Sequence, residues 1–171
     1  MPHTVRHTGL SILLVEDDPN DQQLFELALQ TASIPVPMRA LKSGAEALRY
    51  LKGLGLYADR SLFPYPSFLI TDLKMPQGSG FCILEYLHQN PDFQIIPTLI
   101  LSASSDPDDV RRAYNLGASA FLKKPTSFNE LTRILKCFYE FWIECETPLA
   151  DPSGRILPTD STAKLGEGFE R

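Results

Sequence analysis

With 171 residues, the chain is long enough for one domain with a full hydrophobic core. Its net charge of −5 at pH 7 and pI near 5.2 argue against a general nucleic-acid binder, which would be basic. Three scattered cysteines, Cys82, Cys137 and Cys145, have no metal-site spacing and point to a reducing, cytoplasmic setting. No apolar run approaches the roughly 18 residues of a membrane span, and residues 1–9 lack the apolar core of a signal peptide.

Residues 10–15 read as a buried strand that runs into Glu16-Asp17-Asp18-Pro19, with Asp18 as N-cap and Pro19 as first helical residue. Leu24, Leu27 and Ala28 give helical spacing up to about Thr31. A short strand is expected over 36–41, where Pro35 just before it and Pro37 within it suit a sheet edge. Ser43-Gly44 opens a second helix with Ala47, Leu48 and Leu51 on one face, and residues 53–66 form a longer connection rich in Gly, Pro and aromatics. Phe68-Leu69-Ile70 is an uninterrupted apolar run that delivers Asp72 to its C-terminal end, where Pro76, Gly78 and Gly80 make a loop. A helix over 80–90 places Ile83, Leu84 and Leu87 inward. A fourth strand spans 97–102, and Asp106-Pro107-Asp108-Asp109 starts a helix that Gly117 closes. A fifth strand, 120–123, leads to Lys124-Pro125 and a last helix from 127 or 128 to 144.

Five alternations of strand and helix predict an α/β fold, a doubly wound five-stranded parallel sheet with helices on both faces. The expected organisation is an N-terminal extension (1–9), one domain (10–146) and a flexible tail (147–171) whose Pro, Gly, Asp and Ser content resists packing. With about 25 residues of this composition after the last helix, no DNA-binding or catalytic output domain is expected there.

In such a sheet the C-terminal strand ends share one crevice, the usual ligand site. Asp17, Asp72, Ser102 and Lys124 each follow a separate apolar strand, and Glu16 joins them. Three acids at close quarters repel unless a cation lies between them. Carboxylate oxygens suit Mg²⁺, which often bridges to phosphate. Ser102 can donate to a phosphoryl oxygen and Lys124 adds a positive charge. The set is built for phosphoryl transfer to a carboxylate.

On Glu16-Asp17, Asp72 with Met75-Pro76, Ser102-Ala103 and Lys124-Pro125, in order and at family spacing, residues 10–144 resemble the receiver domain of two-component response regulators. The resemblance implies a flavodoxin-like fold of strand order 2-1-3-4-5. It implies Asp72 as phosphoacceptor, and Glu16, Asp17, Asp72 and the Lys74 backbone carbonyl as Mg²⁺ ligands. Ser102 and Lys124 become phosphoryl contacts, with Ser102 and Phe121 as switch residues. Glu16 stands for the commoner Asp, Ser102 for Thr, and Phe121 lacks the hydroxyl of the frequent Tyr. The implied partner is a histidine kinase, and the protein signals rather than acting as an enzyme, with intrinsic Mg²⁺-dependent phosphotransfer and autodephosphorylation. The connection 53–66 and the stretches Phe141-Trp142-Ile143-Glu144 and Thr147-Pro148-Leu149 resemble phytochrome-associated single-domain response regulators, which points to a bacteriophytochrome kinase.

A phosphatase of the haloacid dehalogenase type, with Asp72 as nucleophile, is the competing enzyme reading. It needs an acid two residues after the nucleophile, and that position is Lys74. A purely scaffolding receiver would not need the intact acid, Ser and Lys set. Outside the constellation, Lys123 and the histidines His3, His7 and His88 are expected to face solvent. In the last helix Leu131, Leu135, Phe138 and Trp142 form one stripe, flanked by Cys137 and Phe141 on one side and Tyr139 and Ile143 on the other. That excess of apolar surface predicts a homodimer through the last helix and tail. No nucleic-acid or membrane partner is expected.

Overall fold

The computed structural model describes residues 10–76, 78–93, 95–157 and 162–164. The N-terminal extension, with His3 and His7, lies outside the described residues. Five parallel strands form the central sheet: β1 (Ile12–Val15), β2 (Met38–Leu41), β3 (Phe68–Thr71), β4 (Thr98–Ser102) and β5 (Ala120–Lys123), in the order 2-1-3-4-5. The helices are α1 (Pro19–Thr31), α2 (Gly44–Leu51), α3 (Gly80–Gln89), α4 (Pro107–Asn115) and α5 (Phe128–Trp142).

Side chains that alternate along a strand feed the two faces in turn. Ile12 and Leu14 join Phe68, Ile70, Leu99 and Leu101 under α1 and α5. Leu13, Val15 and Leu69 pack with Ala47, Tyr50, Leu51 and Ile83 under α2 and α3. Every residue of β1, β3 and β4 is buried, as a strand covered on both faces must be. A third cluster, Leu73, Phe81, Leu84, Ile100, Ala113 and Ala118, holds α4 and has the half-buried Phe121 at its margin.

Three readings change. In α1 the buried residues are Phe25, Ala28 and Leu29, whereas Leu24 and Leu27 are exposed. The apolar run offers two possible stripes, and packing against α5 selects the one that contains Phe25. In α5 the buried residues are Leu131, Ile134, Leu135 and Tyr139, with Phe138 and Trp142 only half-buried against them. The inward face is therefore turned toward Ile134, and Tyr139 belongs to the core rather than to its margin.

The third change concerns only the described part of the expected flexible tail, since residues 158–161 and 165–171 lie outside the described residues. Strand β6 (Glu146–Pro148) pairs antiparallel with β7 (Thr162–Lys164). Between them, Ile156 N–H donates to the Asp92 carbonyl at 2.8 Å, and Leu157 N–H to that of Leu149 at 2.8 Å. Gly154 has φ +89° and lies flat on Tyr65, whose ring atoms would be 2.3–2.6 Å from any Cβ placed there. Tyr65 in turn stacks on Phe93 at 5.7 Å, and Arg155 lies 5.5 Å over the Phe93 ring. The glycine that suggested mobility is what permits this close approach.

Candidate functional site

The strand ends bring together what the topology requires. The pairing of β1 with β2 and β3 continues past the strands: Glu16 N–H donates to the Leu41 carbonyl at 2.9 Å, and Asp72 N–H to that of Val15 at 3.3 Å. Two acids on adjacent strands thus leave the sheet at one level. Asp18 caps α1 by accepting from Asn20 N–H at 2.8 Å. Its own N–H donates to Glu16 Oε1 at 3.1 Å, and Gln22 Nε2 donates to the Glu16 carbonyl at 2.6 Å. The first turn of α1 thereby fixes the backbone and side chain of Glu16.

Asp72 is set by the loop that follows it. Its Oδ1 accepts from Lys74 N–H at 3.1 Å, and its carbonyl accepts from Thr71 Oγ1 at 2.8 Å. Helix α3 begins hard against this carbonyl: a Cβ on Gly80 would meet the Asp72 oxygen at 2.4 Å. A glycine is required there by contact, not by its torsion angles.

Lys124 arrives from β5, its N–H bonded to the Ser102 carbonyl at 2.8 Å. Its Nζ donates to Glu16 Oε2 and to Asp21 Oδ2, both at 2.6 Å, and lies 4.0 Å from Asp72 Oδ2. One ammonium therefore stands among three carboxylates. Burial is the largest influence on Glu16 and raises its pKa despite the opposing Lys124 contact. Burial alone would lower the Lys124 pKa, but the hydrogen bonds to Asp21 and Glu16 outweigh it, and the net shift is upward.

The remaining expected residues occupy the same edge. Asp17 is exposed at the end of β1. Ser102 is buried, and its Oγ accepts from Ser104 N–H at 3.4 Å. Phe121 is half-buried, and its N–H donates to Tyr114 Oη at 3.2 Å. Lys74 is exposed, with Nζ 3.7 Å from Asp109. Lys123 and His88 face solvent as expected. Among the described residues no three His, Cys, Asp or Glu side chains are arranged so that together they could hold a metal ion. The donors at the strand ends are nonetheless all hard oxygens, and Glu16 and Asp72 already share a cation in the Lys124 ammonium, so their chemistry fits Mg²⁺.

Residues 12–136 match the response regulator receiver domain. The chain belongs to that family. Among relatives, it is 32% identical over 136 residues to response regulator Rcp1 of Synechocystis sp., covering 80% of this chain and 90% of that protein. The phosphorylated cyanobacterial phytochrome response regulator RcpA superposes with a TM-score of 0.72 at 29% identity, over 83% of this chain and 100% of that one. The Mn²⁺-bound form of Rcp1 gives 0.70 at 31% identity, over 82% and 99%. As a receiver, the chain is a signalling protein, and the dehalogenase-type phosphatase finds no support in these matches. No described helix is long and apolar enough to cross a membrane.

Sequence reasoning missed Asp21 in this receiver. The residue lies 103 positions from Lys124, and an acid in the first helical turn is already explained by the helix dipole. Only the fold brings the two together.

Proposed function

We propose that this receiver accepts a phosphoryl group from a histidine kinase on Asp72 and transmits the signal through protein contacts, downstream of a phytochrome-type kinase. The observation that carries the reading is the Lys124 ammonium held between Glu16 and Asp72 at the shared strand edge. An Asp72 carboxylate oxygen forms the new P–O bond as the phosphohistidine P–N bond breaks. The bonding pair returns to the imidazole nitrogen. Lys124 and the Ser102 hydroxyl donate to the phosphoryl oxygens, and Lys74 N–H keeps the carboxylate oriented. Glu16, Asp17 and Asp72, with the Lys74 carbonyl, would hold Mg²⁺, whose chemistry there is to neutralise charge on the phosphoryl oxygens. Water later cleaves the acyl phosphate in a reaction the same residues support. Ser102 and Phe121 are the switch: Ser102 is drawn toward the phosphoryl group, and Phe121 moves at the margin of the α4 cluster.

The phytochrome link is supported by the likeness to Rcp1 and RcpA, and a cytoplasmic setting by three free cysteines. The test is labelling by acetyl phosphate or by a panel of kinases in Mg²⁺. Asp72→Asn should abolish a label that wild type takes. Labelling of Asp72→Asn at the wild-type level would mean that another group is the acceptor.

We further propose a homodimer through the end of α5 and the segment after it. Phe141 is 65% exposed and meets Trp142 edge-on at 5.5 Å, so a large aromatic surface stands in water. Burying one such side chain contributes about 1.5–3 kcal/mol, and a two-fold interface buries it twice. Sedimentation should show a dimer at tens of micromolar that Phe141→Ala weakens. A monomeric wild type, with and without a phosphoryl mimic, would end the proposal.

A further inference from the structure

We propose that Asp21 is a positioning residue that holds Lys124 in a resting arrangement and gives it up when Asp72 becomes phosphorylated; this rests on the reading of Lys124 as a phosphoryl contact. The ammonium carries three donors. Two are committed at 2.6 Å, to Glu16 and to Asp21, while Asp72 Oδ2 at 4.0 Å is beyond hydrogen-bond reach. The third donor is uncommitted, but at 4.0 Å from Asp72 it reaches a phosphoryl group only if Nζ moves toward that residue, and the movement lengthens one of the two short contacts.

The two partners differ in what their release costs. The Glu16 side chain is 4% exposed, and stripping its cation would leave a buried charge uncompensated. The Asp21 side chain is 33% exposed, so water can replace the ammonium. It also stands in the first turn of α1, where the helix N-terminus stabilises a carboxylate in its own right. Asp21 is therefore the partner that lets go. Glu16 then serves as the fixed pivot on which Lys124 turns from Asp21 toward the phosphoryl oxygens. While the Asp21 contact lasts, it competes with phosphorylation.

The experiment is a double-mutant cycle on the full chain, with acetyl phosphate and Mg²⁺ as phosphodonor and beryllofluoride affinity as a second readout that needs no turnover. Asp21→Asn keeps the shape and removes the charge. It should raise both the labelling rate of Asp72 and beryllofluoride affinity by about two- to fivefold, the range of a partly exposed ion pair. Asp21→Glu should return both toward wild type. In a Lys124→Gln background, Asp21→Asn should change beryllofluoride affinity by less than about 1.5-fold, because nothing remains to be released. An equal gain in that background would reduce Asp21 to a general negative field and overturn the proposal. So would an unchanged or lower rate and affinity for Asp21→Asn with Lys124 in place. The Asp72→Asn control separates the two failures: full labelling of that variant defeats the acceptor reading itself, whereas its loss together with an uncoupled cycle defeats only the role of Asp21.

Discussion

The two edges of the sheet are finished in opposite ways. At β2, the connection 53–66 closes the flank with a ring cluster: Tyr50 and Tyr57 centroids are 5.0 Å apart, and Phe63 stands edge-on to both. Arg39 of β2 lies 4.7 Å over the Phe63 ring, so the edge strand itself is tied into the cover. Arg60 donates to three backbone carbonyls, those of Tyr50 at 3.0 Å, Leu51 at 2.7 Å and Phe63 at 3.3 Å, and so fastens the end of α2 to the connection. Among the described residues β5 has no such cover. Leu122 and Lys123 are exposed, and α4 buries only Ala113 among its residues. The residues proposed to switch, Ser102 and Phe121, stand on or beside this second flank. A sheet that must respond to one added phosphoryl group needs one edge held still and the other cheap to move. The cheap edge is where buried contacts are few.

The largest expected break of that asymmetry is Arg60→Ala. It removes three charge-assisted hydrogen bonds, two of them to the last carbonyls of α2, and the guanidinium 5.6 Å over the Tyr65 ring. Urea unfolding should show a loss of about 2–3 kcal/mol, since the carbonyls of the buried Tyr50 and Leu51 lose their partner, while that of the half-buried Phe63 regains water in exchange. A loss below about 0.5 kcal/mol would mean that the covered flank is no tighter than the open one.

Tyr57→Phe should have a smaller effect and carries a pH signature. The buried phenol donates to Glu46 Oε1 at 2.8 Å, and its loss should cost about 1 kcal/mol near neutrality. Burial first, then the Glu46 contact, push its pKa up to about 12 from an ordinary 10. Above pH 10 the unfolded phenol ionises before the folded one, so the folded state binds more protons. Stability linked to Tyr57 is therefore full below pH 10 and is lost as pH rises toward 12. Wild type should fall more steeply than Tyr57→Phe across that interval, and parallel curves would remove the phenol from the account.

Much of this was legible in the chain, and the reasons are local. Runs such as Ile12-Leu13-Leu14-Val15 in β1 and Phe68-Leu69-Ile70 in β3 carry no polar residue, so burial on both faces and a parallel sheet follow. The acids, Ser102 and Lys124 stand at the ends of such runs, so topology alone brings them to one edge. What the sequence concealed depended on choices made between equivalents. Helix α1 has apolar residues at Leu24, Phe25, Leu27, Ala28 and Leu29, and periodicity cannot say which stripe faces α5. Residues 147–157 have a composition shared by mobile tails and by tight turns, and only the Tyr65 ring beneath Gly154 separates the two. The Asp21 contact with Lys124 leaves no local trace at all, since each residue has a sufficient role in its own element.

The smallest expected effect sharpens the comparison from the open side. On β5 the Phe121 N–H points to Tyr114 Oη at 3.2 Å, the one side-chain cover described for that edge amide. Tyr114 is 49% exposed, so its hydroxyl competes with water for the bond rather than replacing it. Tyr114→Phe keeps the ring and deletes the oxygen, after which solvent can accept from the same N–H. Stability should stay within about 0.5 kcal/mol of wild type, as for surface changes away from buried networks. Hydrogen exchange at the Phe121 amide should nonetheless quicken, because its cover is gone while the strand pairing to β4 remains. A loss of more than about 1 kcal/mol would show that α4 and β5 are fastened as firmly as β2. The switch would then have to overcome a locked edge, and the division of the sheet into a held flank and a moving one would fail.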